Sequence, residues 1–208
     1  MAQVYILGAG TPTPTLTRFG AAHIIEVSGD YLMFDCGPAA TYKLVKVGLF
    51  PTKVDYLFFT HHHFDHDVDY PCFLLCRWDQ SMGRENEIRV YGPTLTETIT
   101  ERILGETGAF VHDWKARVNH PLSQRVYVNR GGTLPRNPPI VRAKDVGPGI
   151  VHSGRELGTS AKSSTGRSSL TRSRCRYACK RRILRRTDER LASHAALGHR
   201  HRRGVLAG

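Results

Sequence analysis

The segment Thr60-His61-His62-His63-Phe64-Asp65-His66 constrains this chain more than any other stretch. Four imidazoles and one carboxylate fall within positions 61–66, directly behind the apolar run Val54-Asp55-Tyr56-Leu57-Phe58-Phe59. Imidazole nitrogen and carboxylate oxygen are the usual ligand atoms of a hydrolytic zinc site. An extended segment puts alternate side chains on one face, so His61 and His63 point one way and His62 the other. His66 joins them only if the chain turns after His63. Two donors before a turn, with Asp65 and His66 after it, suit a pair of metal ions better than one. The plainer alternative is a polar loop rich in histidine, or a tag-like run. A tag would lack the aspartate and the apolar strand in front of it.

At 208 residues the chain has room for one domain with a sizeable core, or one domain and a tail. Its net charge of +12 suggests a nucleic-acid binder until it is mapped. Residues 1–150 carry 15 Lys+Arg against 15 Asp+Glu, whereas residues 151–208 carry 15 against 3, so the excess belongs to the last 58 residues. The first residues show no basic lead, and their apolar run is cut by Gly8-Ala9-Gly10, which does not read as a secretory signal. No apolar stretch is long enough to span a bilayer. The five cysteines (Cys36, Cys72, Cys76, Cys175 and Cys179) are odd in number and sparse, which fits a reducing cytoplasm. Two C-x-x-x-C pairs, Cys72/Cys76 and Cys175/Cys179, have a spacing that structural zinc can use, but they lie in dissimilar surroundings, and buried or incidental thiols are the simpler reading.

Residues 1–150 alternate short apolar runs with turn signals. Residues 4–7 read as a strand, 23–27 and 31–34 as a hairpin across Ser28-Gly29-Asp30, and 54–60 as the strand that delivers the histidines. Residues 39–47 read as a helix stopped by Gly48, and 70–78 as a helix after the histidine loop. Residues 87–91 read as a strand closed by Gly92-Pro93, and 94–104 as a helix capped by Thr94 with Glu97 three residues on. Residues 126–128 and 140–143 are weaker strand candidates. The expected class is a sheet-rich α/β sandwich. Gly8-Ala9-Gly10 after a strand invites a dinucleotide-binding reading, but Thr13 stands where a third glycine belongs and Pro12 and Pro14 oppose a helix there. After Gly147-Pro148-Gly149 the chain turns to Arg, Ser, Ala, Gly and His. Residues 151–208 are therefore expected to be a tail of low order, read either as an arginine-rich nucleic-acid arm or as the product of a shifted reading frame.

Three pieces in order carry a resemblance to a known family. They are Leu7-Gly8-Ala9-Gly10-Thr11-Pro12-Thr13-Pro14 after the first strand, Tyr31-Leu32-Met33-Phe34-Asp35-Cys36-Gly37, and His61-x-His63-x-Asp65-His66 behind its strand. Together they resemble the metallo-β-lactamase superfamily, in particular its ribonuclease Z and arylsulfatase-like hydrolase branch, over about residues 3–150, the N-terminal part of the family domain. The resemblance implies an αββα sandwich, incomplete here, with a dinuclear zinc site at one edge of the sheets. It implies that His61 and His63 bind the first metal and Asp65 and His66 the second, with a metal-bound hydroxide as the attacking group. Asp65 would also manage the proton of the attacking water. Asp35 would orient a ligand histidine, or merely form the turn before Gly37, and Thr60 would help fix the loop.

The family's remaining ligands are harder to place. No Gly-Asp-Thr follows residue 66, His152 is the weaker candidate for a further ligand, and His194, His199 and His201 lie in the basic tail. Two protein ligands per ion fall short of the three that catalytic zinc usually has, so weak metal binding is expected. The leading expectation is a zinc-dependent phosphodiesterase of the tRNA 3′-processing, endoribonuclease type, acting in the cytoplasm, with a homodimer among the assemblies the branch forms. Because Phe64, Asp67, Asp69 and Tyr70 are the neighbours of the motif, and acidic side chains beside a metal repel a polyanion, an arylsulfatase-like or general esterase is the alternative enzyme. A basic nucleic-acid-binding protein with a non-catalytic domain, and an inactive truncated family member, are the readings from other classes.

Overall fold

A computed structural model describes residues 2–84, 87–153 and 176–178. Its centre is a six-stranded sheet in the order β1 (Ala2–Ala9), β2 (Ala21–Val27), β3 (Asp30–Phe34), β4 (Tyr56–Phe58), β5 (Ile88–Gly92) and β6 (Val141–Asp145). β1 to β3 pair antiparallel, and β3 to β6 pair parallel. The β2–β3 turn needs only Ser28 and Gly29, both at positive φ (54° and 83°), so Val27 faces Asp30 across a two-residue primed turn. The parallel strands need crossovers, and these are helical: α1 (Ala40–Lys46) before β4 and α3 (Tyr70–Gln80) before β5.

Register decides which residues make the core. Ile24, Met33, Leu57 and Val90 stand opposite one another across β2 to β5, and all four are fully buried. Ala40 and Leu44 of α1, and Tyr70, Phe73 and Leu74 of α3, close over that row. Each fully buried side chain of this size contributes roughly 1.5–3 kcal/mol. The opposite face is aromatic. Phe34, Phe58 and Tyr91 are also in register, stacked at 5.1 and 5.5 Å between ring centroids. Strand β7 (Ile150–Ser153), paired antiparallel with β8 (Arg176–Ala178), lays His152 against that face, 4.2 Å from the ring of Tyr56. Helices, central sheet and a second small sheet are thus three successive layers of the sandwich. Within 151–208 the expectations for residues 154–175 and 179–208, with Cys175, Cys179, His194, His199 and His201, lie outside the described residues. No described helix is long and apolar enough to cross a membrane.

Three local expectations are corrected, and one helix stands where none was expected. The strand over 54–60 narrows to Tyr56–Phe58, because Pro51–Lys53 forms a 3-10 turn that leads into it. Residues 126–128 are helical, inside α6 (Pro121–Asn129), where Tyr127 is buried and Val126 and Val128 are exposed. Three consecutive β-favouring side chains were outweighed by a helix begun by Pro121 at its first position, after the extended His120. The helix α5 (Val111–Asn119), which carries Trp114 into a small cluster with Trp78, had no clear periodic signal. The helix from 94 begins at Thr96 as α4 (Thr96–Leu104), and its cap is not Thr94. Leu95 holds the cap position at φ 90°, and the Asp145 carboxylate at the end of β6 accepts from the backbone N–H groups of Leu95 and Glu97. Glu97 reaches back to accept from the N–H of Asp145.

Candidate metal centre

The histidine segment leaves the carboxyl end of β4, the edge where open α/β sheets place their ligands. The ladder runs on for one residue on each side: the N–H of Phe59 donates to Tyr91 and that of Asp35 to the carbonyl of Phe58. His63 is still extended (φ −93°, ψ 150°), and the single-turn helix α2 (Phe64–Asp67) follows at once. The chain therefore turns after His63, and the ring of His66 comes to 3.9 Å from that of His61. His61 Nε2 and His63 Nδ1 lie 3.1 Å apart. His62 points away, as alternation requires, with Nδ1 3.2 Å from the Asp67 carboxylate and Nε2 2.8 Å from the hydroxyl of Thr96.

Asp35 ties this loop to the sheet. Its own φ is 58°, a left-handed conformation that Asp tolerates better than most residues. The carboxylate accepts from the Thr60 backbone N–H at 2.8 Å and from the Thr60 hydroxyl, and its Oδ2 lies 2.9 Å from His66 Nδ1. So Asp35 both forms the turn and faces a histidine of the motif. Below it the fit is tight. The N–H of Cys36 donates to the carbonyl of His66 at 2.6 Å. A Cβ on Gly37 would stand 2.1 Å from the carbonyl oxygen of Asp65, and one on Gly20 would stand 2.7 Å from the same oxygen. Only glycine permits that approach. Asp69 also turns inward, accepting from the N–H of Thr41 at 2.6 Å.

Asp65 is buried, with Oδ2 3.5 Å from His66 Nε2 and Oδ1 without any hydrogen-bond partner. A buried carboxylate oxygen with no donor is costly, and a cation would satisfy it. The charges around the rings separate their proton affinities. Burial lowers that of His61, and the neighbouring His66 and His63 lower it further. Burial also opposes charge on His66, but the hydrogen bond to Asp35 and the carboxylates of Asp35, Asp65 and Asp67 hold its pKa above the ordinary histidine value. Burial pushes the Cys36 thiol well up, and the nearby carboxylates add to that.

In kind, His61, His63, Asp65 and His66 are side chains that could hold a divalent metal. Among the described residues, no three His, Cys, Asp or Glu side chains are posed together as one ligand set. His152 packs on Tyr56, and its ring centroid is 6.1 Å from that of Phe58, on the sheet face and not in the histidine loop. Cys72 and Cys76 lie on α3 with sulfurs 3.9 Å apart. Sequence reasoning did not assign roles to His62, Thr96, Asp67, Asp69 or Gly20. Asp67 meets its near neighbour His62, but the partners of His62, Asp69 and Gly20 lie 28 or more positions away, and only the fold brings them together.

Residues 16–161 match the family model described as "Metallo-beta-lactamase superfamily". The chain belongs to that superfamily. Within it, the chain is 33% identical over 102 residues to the ribonuclease Z of Nanoarchaeum equitans, covering 49% of this chain and 32% of that one. It is 30% identical over 137 residues to the ribonuclease Z of Methanothermobacter thermautotrophicus, covering 64% and 40%. Among solved structures, the short form of human tRNase Z aligns with a TM-score of 0.45 at 20% identity, over 75% of this chain and 56% of that one. The chain spans well under half the length of the curated relatives named here.

Proposed function

We propose that residues 1–150 are the N-terminal part of a zinc-dependent phosphodiester hydrolase of the ribonuclease Z type, with the 3′ end of a tRNA precursor as substrate and the cytoplasm as its place of action. The observation that carries this reading is Asp65: a buried carboxylate with one unpartnered oxygen, set beside His66 at the carboxyl end of a parallel strand. The similarity to two ribonuclease Z proteins supports the substrate class. In this proposal His61 and His63 hold one ion, and Asp65 and His66 the other. Zinc bound there would supply Lewis-acid polarisation and more acidic bound water.

The chain's own groups do the rest. Asp35, as acceptor at His66 Nδ1, places the proton of a neutral ring on that nitrogen and turns the lone pair of Nε2 toward Asp65. Thr60 is held by Asp35 through both its N–H and its hydroxyl, so the start of the loop keeps one conformation. In this proposal the Asp65 carboxylate also accepts the proton of the attacking water. The acidic residues after the motif are engaged internally, Asp67 with His62 and Asp69 with Thr41, so they do not face an incoming polyanion. That removes the motive for preferring a sulfate or carboxyl ester.

The test joins metal analysis with hydrolysis of bis(p-nitrophenyl) phosphate by the wild type and by Asp65→Ala. Near two zinc per chain, and a loss of roughly 10²-fold or more in the variant, is expected. Equal turnover in both removes Asp65 from the mechanism. Metal near zero in the wild type identifies a non-catalytic remnant, and turnover of p-nitrophenyl sulfate alone reassigns the substrate.

A further inference from the structure

At the far end of α3 from the metal loop, three guanidiniums converge on one carboxylate. Asp79 accepts from Arg117 at 3.4 Å, from Arg130 at 3.1 Å and from Arg136 at 3.1 Å, and Arg130 also donates to the Asp79 carbonyl. They line a cavity of about 210 Å³ whose remaining wall includes Leu122, Ser123, Val126 and Tyr127. Asp79 stands nine positions after Tyr70, about 14 Å along the helix at 1.5 Å per residue. The pocket is therefore separate from the histidine cluster.

We propose that this pocket binds a phosphate group, either a free phosphate anion or a backbone phosphate of RNA. The inference rests on this geometry and not on the hydrolase reading. Arg117 has a second partner, Asp113, so three positive charges meet two negative ones and one remains unmatched. Arg136 is the fixed element. It is 5% exposed, its guanidinium carbon lies 3.9 Å from the Trp78 ring centroid and 4.8 Å from that of Tyr127, and its Nε has no hydrogen-bond partner. A desolvated guanidinium with an unused donor favours an anion with several acceptor oxygens. Arg117 and Arg130 are 46% and 38% exposed in their side chains, so they can leave Asp79 for a ligand at the pocket mouth. Leu122 and Val126, both exposed, give that mouth an apolar lip on which the rest of a nucleotide can rest.

The test uses the full chain at low salt, with inorganic phosphate followed by tryptophan fluorescence and calorimetry, and a labelled single-stranded RNA dodecamer followed by anisotropy. Arg117→Gln/Arg130→Gln should weaken phosphate binding by about tenfold or more, leave the melting temperature near that of the wild type, and leave hydrolysis of bis(p-nitrophenyl) phosphate unchanged. Asp79→Asn should tighten phosphate binding, because it removes the competing carboxylate, whereas a purely structural hub would bind no better or worse. If RNA affinity falls in parallel and phosphate competes with RNA, the ligand is a backbone phosphate. If RNA affinity is untouched, it is a free anion. Equal phosphate affinity in the wild type and the double variant, or weaker binding by Asp79→Asn, overturns the proposal.

Discussion

Two carboxylates organise the described chain, and they do so in opposite ways. Asp35 is 3% exposed, and its acceptors are taken by the backbone and hydroxyl of Thr60 and by the His66 ring. Asp79 has a side chain 26% exposed and is surrounded by arginines from α5, the end of α6 and the loop after it. The first hub joins neighbouring strands of one sheet and fixes geometry. The second joins surface helices and gathers charge. A hub built on sheet neighbours should be rigid and intolerant, and one built on long side chains should be adjustable.

The sharpest way to break that contrast is to add one methyl beneath the first hub. Gly37→Ala would set a Cβ 2.1 Å from the Asp65 carbonyl oxygen and 2.7 and 2.8 Å from the backbone of Ala21. All three contacts are with backbone, which cannot rotate aside. Loss of soluble protein, or a destabilisation of more than ~4 kcal/mol in urea unfolding, is expected. A variant within ~1 kcal/mol of the wild type would show that the loop is not rigid there.

Asp35→Ala should come next, at ~3 kcal/mol. It takes their shared, buried acceptor from Thr60 and His66 and places alanine at a left-handed φ of 58°. Asp35→Asn keeps the backbone tolerance and one acceptor oxygen, so its loss should be smaller. Both should lower zinc affinity about 10–100-fold in competition with a chromophoric chelator. Unchanged zinc affinity in both would reduce Asp35 to a turn residue.

The contrast also explains what was legible in the sequence. The first hub falls inside motifs, Phe34-Asp35-Cys36-Gly37 and Thr60 to His66, carried by strands whose alternation and turn chemistry are local signals. The hairpin at Ser28-Gly29, the turn after His63 and the direction of His62, opposite to that of His61 and His63, follow from such signals. The second hub joins residues 38 to 57 positions apart, across helices that carry few buried residues. Arg117, Arg130 and Arg136 look like ordinary surface charge until α5 and α6 are placed. The cap of α4 failed to show for the same reason, since its acceptor is Asp145, 48 positions beyond Glu97. A charge count missed the pocket too, because residues 1–150 sum to zero.

The smallest effect is expected at Asp79, and its pH dependence separates electrostatics from packing. Partial burial by itself raises a carboxyl pKa, but hydrogen bonds and charge from Arg130 and Arg136 outweigh it and hold Asp79 below its ordinary value. A group whose folded pKa is depressed contributes stability that is fully present above its unfolded pKa, near ~3.9, and is lost as pH falls through the folded value. Asp79→Asn should therefore cost ~1 kcal/mol at pH 7, discounted for a partly exposed group. The difference between variant and wild type should stay flat from pH 7 to about 5 and shrink below about 4. Urea unfolding of both proteins across that range measures it. A difference that persists undiminished at pH 2.5 would mean that the carboxylate charge is not what holds the arginines. The two hubs would then differ in exposure alone, and the surplus positive charge at the α3–α6 pocket would not be under the control of Asp79.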